Sequence, residues 1–260
     1  MVVFNLLTLI SLFLIGICVG SFINLLTYRL PKRLSLIKPR SFCDNCRQPI
    51  TIKALIPIIG YYLTKKQCQY CLMRISFKYP FLELSTGIIT IFTYLFYHEL
   101  RSPPPQSLLE IMPFLTSLLI LYTGLPLSII DFNYRILPNK IVIFLAIGGS
   151  ALSFLNPLSD FWINFITGLL SLFFFYTLTA LYYKFKKIEG LGMGDVKLIS
   201  ALGFTLGLNG LVYTLLFASC LGLCYGVILA YKEKTAILKT AIPFGPFLCL
   251  AGFIASFVIF

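Results

Sequence analysis

The feature that most constrains the fold is a series of long apolar runs, most of them near the roughly 20 residues that a helix needs to cross a bilayer. Eight such runs occur along the 260 residues. The candidate spans are residues 2–26, 80–98, 107–130, 140–156, 161–183, 196–207, 210–231 and 242–260. The sequence therefore predicts an all-α integral membrane protein with about eight transmembrane helices. The sixth span is short, so it must tilt, borrow residues from the loop that follows it, or lie where the bilayer is thinner.

The composition indicates that lipid is the solvent for most of the surface. Hydrophobic residues make up 58% of the chain and charged residues only 12%, whereas soluble domains average about 25% charged residues. The net charge of +12 could suggest a nucleic-acid partner, but the basic residues lie in short loops between apolar runs, as the positive-inside rule predicts. We therefore expect membrane lipids as partners and no nucleic acid.

The distribution of Lys and Arg predicts the orientation in the membrane. If the N-terminus is outside, 20 of the 21 Lys and Arg residues lie inside, and only Arg101 lies outside. The inside segments are then residues 27–79, 131–140, 184–197 and 232–240. We predict three parts, which are a first transmembrane helix (1–26), a cytosolic four-cysteine segment (27–79) and a polytopic membrane core (80–260).

Two Cys-x-x-Cys pairs in the cytosolic segment are typical of a structural zinc site. Cys43 and Cys46 form the first pair, Cys68 and Cys71 form the second, and 21 residues separate the pairs. A two-residue gap lets both sulfurs of a pair turn toward one ion, and Zn²⁺ takes four such ligands in a tetrahedron. We predict that these cysteines hold Zn²⁺ in a zinc-ribbon-like segment. Two disulfides are the alternative, which a reducing cytosol disfavours.

Two of the four aspartates lie at the predicted cytosolic membrane face. Asp131 ends the third span and Asp195 opens the sixth, and ionisable residues at membrane depth are candidates for function. Two close carboxyls share one proton, so one can take a proton from water while the other donates to a peptide carbonyl oxygen. This is aspartic-protease chemistry. The residues alone leave alternatives open, because Asp195 could cap its helix and Asp131 could be a solvated helix-end residue.

Six motifs, which occur in the same order, resemble those of the type IV prepilin peptidases, a family of membrane aspartic proteases. They span residues 20–247, nearly the whole chain. The motifs are Gly20-Ser21-Phe22-Ile23-Asn24 with Arg29-Leu30-Pro31, the double Cys-x-x-Cys, Tyr79-Pro80 with Glu83 and Gly87, Asp131 with Ile136-Leu137-Pro138, Gly192-Met193-Gly194-Asp195-Val196-Lys197, and Ile242-Pro243-Phe244-Gly245-Pro246-Phe247. One departure is Asn139, where the family often has an acidic residue.

The resemblance implies a bifunctional enzyme of the bacterial inner membrane whose active site faces the cytosol. Such enzymes cleave the basic leader of prepilins and pseudopilins, and they often N-methylate the new N-terminus with S-adenosylmethionine. By the same resemblance, Asp131 and Asp195 are the catalytic pair, and the four cysteines are tied to methyl transfer. Glu83 and Gly87 match positions linked to the S-adenosylmethionine-dependent activity. The residues themselves carry no separate signature for that cofactor.

Two other classes of protein remain open from the residues alone. A transporter can use intramembrane carboxylates as a proton relay, but it predicts inverted repeats and polar residues near the bilayer midplane, and no repeat is evident. A non-enzymatic scaffold with a zinc knuckle would not need both aspartates. Preflagellin and presenilin-like peptidases share the Gly-x-Gly-Asp motif, but the double Cys-x-x-Cys favours the bacterial prepilin enzyme.

Overall fold

The protein is built from long apolar helices. A computed structural model describes residues 6–100, 111–156, 159–187, 190–233 and 242–259, except for the side chains of residues 98–100 and 233. The helices are α1 (Leu6–Arg29), α2 (Ile59–Leu63), α3 (Lys78–Leu100), α4 (Met112–Tyr134), α5 (Asn139–Leu155), α6 (Phe161–Lys186), α7 (Met193–Glu233) and α8 (Gly245–Ile259). Within these described ranges the only β-structure is a pair of isolated bridges. The predicted all-α fold class is confirmed.

Five of these helices, α1, α3, α4, α6 and α7, are long and apolar enough to cross a membrane. Two more, α5 and α8, are apolar but shorter, with 17 and 15 residues. The protein is therefore a multi-pass membrane protein. The predicted spans match these helices to within a few residues, although residues 2–5 and 107–110, where two of those spans were predicted to start, lie outside the described ranges.

The helix α7 is bent back on itself at Gly207. At 1.5 Å per residue, its 41 residues would otherwise extend about 61 Å, roughly twice the hydrocarbon thickness of a bilayer. Gly207 breaks the helix with φ 68° and ψ −170°, a conformation that favours glycine. The contacts between α7 and the α8 region are Leu202 with Gly252, Gly210 with Ile259, and Gly226 with Ile242. The contact point moves to the end of α8 and then returns, so the chain reverses.

The two halves of α7 correspond to the sixth and seventh predicted spans. We call residues 193–206 α7a and residues 208–233 α7b. Most side chains of α7a are buried, and they include Val196, Leu198, Ile199, Ala201, Leu202 and Thr205, each at most 1% exposed. Because α7a packs mainly against protein and not against lipid, it does not need the roughly 20 residues of a lipid-exposed span. This explains how the short sixth span is accommodated.

The chain divides into two compact units, Met1–Leu100 and Arg101–Phe260. The first unit contains α1, α3 and the cysteine segment between them, and the second contains α4 to α8. The functional division at residues 1–26, 27–79 and 80–260 stays a prediction.

Small residues allow α1 and α3 to approach closely in the first unit. A Cβ atom on Gly16 would lie 2.7 Å from the Cα of Gly87, and one on Gly20 would lie 2.8 Å from the Cα of Glu83. Close contact through small residues is the usual way in which transmembrane helices pack. This packing places Glu83 of α3 beside Gly20, in the half of α1 that leads to the cysteine segment.

Candidate active site

Asp131 is buried in the last turn of α4 and meets the start of α8. Its side chain is 6% exposed, and the backbone N–H of Gly245 donates to its Oδ2 atom at 3.1 Å. A Cβ atom at position 245 would lie only 2.7 Å from that oxygen, so glycine permits the contact. The N-terminus of a helix carries partial positive charge, and α8 therefore presents Asp131 with a favourable electrostatic environment for a carboxylate.

Asp195 is the third residue of α7, where its carboxyl group interacts with the backbone N–H of Gly192. An acidic side chain at this position that reaches back to the N–H before the helix resembles half of a capping box. The structure therefore gives Asp195 a local contact with the helix start, although it is not the N-cap residue itself. A Cβ atom on Gly192 would lie 3.1 Å from Asp195 Oδ2.

The structure brings the two aspartates together although 64 positions separate them. Their carboxyl groups are close enough that a negative charge on Asp131 disfavours a negative charge on Asp195. Leu137, between α4 and α5, packs against both helix starts, because a Cβ atom on Gly194 would lie 3.0 Å from it and one on Gly245 would lie 3.2 Å from it. The result is one site formed by the end of α4, the start of α7a and the start of α8, in which Asp131 is buried and Asp195 is half-buried.

The motifs at Leu137 and Gly245 were recognised by resemblance, but residue patterns alone gave them no role. Their positions in the structure explain the motifs, since each contributes to the surroundings of Asp131. A signal was available in the sequence, because both lie in Pro-containing segments close to the start of a predicted span.

The other two aspartates have different surroundings. Asp160 is the N-cap of α6 and accepts hydrogen bonds from the N–H groups of Trp162 and Ile163. Asp44 accepts a hydrogen bond from the Tyr28 hydroxyl in the first unit. Both therefore serve as natural comparisons for the pair.

The four predicted metal ligands form a compact cluster in the first unit. Their sulfur atoms all lie within 4.8 Å of one another, with Cys43 to Cys71 at 3.7 Å and Cys46 to Cys68 at 3.8 Å. Sulfurs around a tetrahedral zinc ion with Zn–S bonds of about 2.3 Å are about 3.8 Å apart. A disulfide would require about 2.05 Å, and all four cysteines are free. The arrangement fits a metal ion and not a pair of disulfides.

The two cysteine pairs form knuckles with the same hydrogen bonds. In each, the N–H of the first cysteine donates to the carbonyl five residues on, and the N–H four residues on donates back to the carbonyl of that cysteine. The donor and acceptor pairs are Cys43 to Gln48 and Arg47 to Cys43, then Cys68 to Met73 and Leu72 to Cys68, all at 2.9–3.0 Å. Arg47 and Leu72 have matching left-handed φ angles of 59° and 58°. The segment is therefore a repeated knuckle built around one site.

Backbone hydrogen bonds lower the pKa values of these thiols, whereas desolvation raises them. The N–H of Met73 and the side chain of Asn45 lower the pKa of Cys71 to about 6. The N–H of Gln48 also acts to lower the pKa of Cys46, but desolvation and the three neighbouring sulfurs raise that pKa to about 11. Four adjacent thiols therefore do not all ionise on their own, whereas a bound cation would stabilise four thiolates.

A cavity of about 720 Å³ lies in the first unit beside the cysteine cluster, and Glu83 lines it. Glu83 is 8% exposed, and its Oε2 atom accepts a hydrogen bond of 2.7 Å from the N–H of Ile58. Gly87 is not among the lining residues. It packs against Phe13 and Ile17 of α1, where an added Cβ atom would lie 2.8 Å from each. Of the two residues predicted to serve the cofactor, the structure therefore brings only Glu83 to the cavity.

Two family models match the chain, one in each compact unit. The Bacterial Peptidase A24 N-terminal domain matches residues 14–97, and the Type IV leader peptidase family matches residues 114–227. A relative from Aeromonas salmonicida, named prepilin leader peptidase/N-methyltransferase, is 31% identical over 94% of this chain and 88% of its own length. A relative of the same name from Bacillus subtilis is 29% identical over 94% and 92%.

The chain belongs to the type IV leader peptidase family. This membership confirms the resemblance stated from the motifs. The C-terminal match of this type IV leader peptidase includes Asp131 and Asp195, and the N-terminal match includes the four cysteines, Glu83 and Gly87. No solved structure gives a significant match to the chain.

Proposed function

We propose that this type IV leader peptidase cleaves the leader peptides of prepilins or pseudopilins with Asp131 and Asp195 as its catalytic pair. The observation that carries the proposal is that the buried carboxyl group of Asp131 and the half-buried carboxyl group of Asp195 belong to one site. The name shared by the relatives, prepilin leader peptidase/N-methyltransferase, supports the substrate class. A proton-relay transporter or a scaffold has no comparable support from the family.

The chemistry follows from one proton shared between two carboxyl groups. The ionised carboxylate takes a proton from water, and the water oxygen attacks the carbonyl carbon of the scissile peptide bond. The protonated carboxyl donates its proton to the carbonyl oxygen, which gives a neutral tetrahedral diol. The first carboxyl then protonates the amide nitrogen as the C–N bond breaks, and a diol hydroxyl returns a proton to the second. The pair is regenerated without any other group.

The surroundings of the pair support this chemistry because they fix the positions of the carboxyl groups before substrate arrives. The Gly245 N–H orients the carboxyl group of Asp131, and the Gly192 N–H interacts with Asp195. Carboxyl groups that are already held in position do not have to be ordered when substrate binds, which lowers the entropic cost of the reaction.

We propose further that the first unit N-methylates the new N-terminus and that its 720 Å³ cavity binds S-adenosylmethionine. The acid Glu83 and the rings of Tyr28 and Tyr79 line the cavity, and carboxylates and aromatic faces both attract a sulfonium cation. When bound, the cofactor supplies the methyl group. Gly87 supports this site from the α1–α3 interface, where it allows α3 to approach α1.

We propose that the metal of the cysteine cluster is Zn²⁺ and that its role is structural. The sulfur separations fit a tetrahedral ion, and the four ligands come from both ends of a segment with few buried apolar side chains of its own. A metal that joins such ligands contributes directly to the folding free energy of the segment. The cysteines would therefore support methyl transfer by holding the cavity wall in place.

We propose that the protein lies in the bacterial inner membrane with residues 27–79 and the aspartate pair facing the cytosol. This orientation places 20 of the 21 Lys and Arg residues on the cytosolic side. It also places the aspartates on the side where the basic leader of a prepilin remains before cleavage.

One experiment tests both activities. The purified protein is incubated with a prepilin, with and without S-adenosylmethionine, and the product masses are read. We expect leader removal in both cases, and one added methyl group on the mature product only when the cofactor is present. A wild-type protein that leaves the prepilin intact would refute the proposed peptidase.

A further inference from the structure

An arginine-lined pocket of about 440 Å³ lies where α1 ends. It is formed by residues from the loop after α1 and from the first cysteine knuckle. The lining residues are Arg29, Leu34, Pro39, Arg40, Phe42, Arg47 and Pro49. Among these described residues three are cationic, none is acidic and the rest are apolar. Such a lining suits an anion that carries an apolar body.

The loop that forms one side of the pocket is folded back onto the end of α1. Arg29 is only 4% exposed, and its guanidinium group donates to the carbonyl oxygens of Ser35 and Pro39 at 2.7 Å each. The hydroxyl of Ser35 accepts from the N–H groups of Ile37 and Lys38. Because α1 is a membrane-spanning helix that ends at Arg29, the loop and its pocket must lie at the polar interface of the bilayer.

The same loop exposes apolar side chains among basic ones. Ile37 is 85% exposed and Leu34 is 40% exposed, while Lys32, Arg33 and Lys38 lie on the same short loop. Apolar side chains flanked by cations are typical of segments that insert into the headgroup region of a membrane. Contact with lipid would remove the apolar side chain of Ile37 from water.

The arginine side chains that line the pocket have the chemistry to bind a phosphate group. The Arg47 guanidinium lies over the Phe42 ring at 5.2 Å, and Arg40 lines the same pocket. Guanidinium groups bind phosphate oxygens with paired hydrogen bonds. The apolar walls formed by Leu34 and Phe42 match the glycerol and first methylene groups of a lipid better than they match a free phosphate ion.

We propose that this pocket binds the phosphate group of an anionic phospholipid, with Arg40 and Arg47 as its principal contacts. Clusters of basic residues next to a transmembrane helix attract anionic lipids, and here a pocket gives that attraction a specific position. Arg40 and Arg47 flank Cys43 and Cys46 in sequence. A lipid bound there would hold the first cysteine knuckle at the membrane surface.

Native mass spectrometry of the full-length protein in detergent tests this site. The protein is titrated with phosphatidylglycerol, phosphatidylcholine or glycerol 3-phosphate. We expect the wild type to retain one phosphatidylglycerol molecule at least about tenfold more tightly than phosphatidylcholine, and to retain no glycerol 3-phosphate. The double variant Arg40→Gln/Arg47→Gln should lose that preference. The matched control Lys53→Gln/Lys65→Gln removes the same charge from exposed positions of the same segment and should keep it.

A second measurement addresses the loop directly and does not depend on the arginine variants folding. In a Trp162→Phe background, Ile37→Trp provides the single tryptophan of the protein. We expect brominated phosphatidylglycerol in vesicles to quench it more strongly than brominated phosphatidylcholine. Four results would each overturn the proposal. The wild type could retain phosphatidylglycerol and phosphatidylcholine equally, the two double variants could bind phosphatidylglycerol equally, or the wild type could bind glycerol 3-phosphate tightly. The fourth is equal quenching of the tryptophan by the two brominated lipids.

Discussion

A glycine lies next to the carboxyl group of each aspartate of the pair, Asp131 and Asp195. Gly245 brings its N–H to Asp131, and Gly192 lies beside Asp195. At the scale of single residues, the candidate site therefore consists of two carboxyl groups and the glycines that permit close backbone donors. Both kinds of residue can be tested by substitution.

Replacing either aspartate with asparagine should abolish leader cleavage. Asparagine has nearly the shape of aspartate, so packing should survive, but it can neither accept a proton from water nor pass on the shared proton. Because the two groups act as one unit, we expect Asp131→Asn and Asp195→Asn each to lower the cleavage rate by at least about a thousandfold, with the double variant scarcely worse. Product masses from a prepilin assay measure the effect.

The remaining aspartates provide the controls for this prediction. Asp160→Asn should retain most cleavage because asparagine also caps a helix, and Asp44→Asn should do so because its contact is with Tyr28 in the first unit. Near-normal cleavage by Asp195→Asn would mean that Asp195 serves only the helix start, since an asparagine oxygen can accept the same N–H.

Gly245→Ala should impair cleavage although it leaves both carboxyl groups in place. The new Cβ atom would lie 2.7 Å from Asp131 Oδ2, so either the carboxyl group or the start of α8 must move. Small misplacements of catalytic groups can cost about a hundredfold in rate, and we expect a loss of that order. Gly222→Ala is the matched control, because its nearest neighbour atom, in Phe244, lies at 3.5 Å. An active Gly245→Ala enzyme would show that the contact is dispensable.

At the scale of elements, Glu83 ties the cysteine segment to α3. Its Oε2 atom accepts the N–H of Ile58, and Ile58 has a left-handed φ of 62° immediately before α2, which is unusual for a β-branched residue. A buried hydrogen bond to a charged acceptor contributes about 1.5–3 kcal/mol and helps to hold this conformation. Glu83 therefore has a structural role in addition to the proposed role at the cofactor cavity.

Substitutions of Glu83 should separate these two roles. Glu83→Gln keeps an oxygen for the Ile58 N–H but removes the charge, so we expect the KM for S-adenosylmethionine to rise about tenfold, equivalent to 1.4 kcal/mol, with the fold intact. Glu83→Ala should abolish methylation and make residues 51–66 sensitive to protease. Leader cleavage is the internal control and should be little changed by Glu83→Gln. An unchanged KM in Glu83→Gln would leave Glu83 with the structural role alone.

Removing the metal should affect methyl transfer more than cleavage. The cysteine cluster lies in the first unit and the aspartate pair in the second. We therefore expect chelation, or Cys68→Ser, to release one Zn²⁺ per chain and to abolish methylation while most cleavage remains. Elemental analysis and the two activities measure this, and added Zn²⁺ should restore the chelated wild type.

The exposed Cys224 of α7b provides the control, because Cys224→Ser should change neither activity nor metal content. Equal loss of both activities on chelation would show that the cysteine segment supports the whole fold. Protein purified without chelators that contains no zinc would refute the assignment of the metal.

At the scale of the whole molecule, the reversal at Gly207 makes α7a and α7b two separate helices of the second unit. With α7 counted as two helices and the five-residue α2 left aside, the described ranges contain eight apolar helices, in agreement with the predicted number of spans. An even number of crossings places both ends of the membrane-embedded part on the same side.

We expect both termini outside and residues 27–79 in the cytosol, because this orientation leaves only Arg101 among the basic residues outside. A reporter that is active only in the cytosol should work when fused after Lys187 and fail when fused after Ser159. Exposure of the cysteine knuckles on the outer face would contradict this topology, and it would also remove the reducing environment that favours thiolates over disulfides.

Features that depend on local pattern could be predicted from the order of residues alone. Apolar runs of about bilayer length predict membrane helices wherever they fold, and the Cys-x-x-Cys spacing turns paired sulfurs to one side whatever surrounds them. The motifs also identified the family before any contact was known. These signals work because each depends on residues that are near one another in the chain.

Which distant residues meet could be learned from the folded protein and not from the order of residues. Three such pairs lie 25 or more positions apart in the chain. They are Asp131 with Asp195, the Gly245 N–H with Asp131, and the Ile58 N–H with Glu83. The structure also placed Gly87 in the packing of α1 against α3, where its lack of a side chain matters, and away from the cavity lining. Contacts of this kind depend on how whole helices pack, and the packing is set by many side chains together and not by any local pattern.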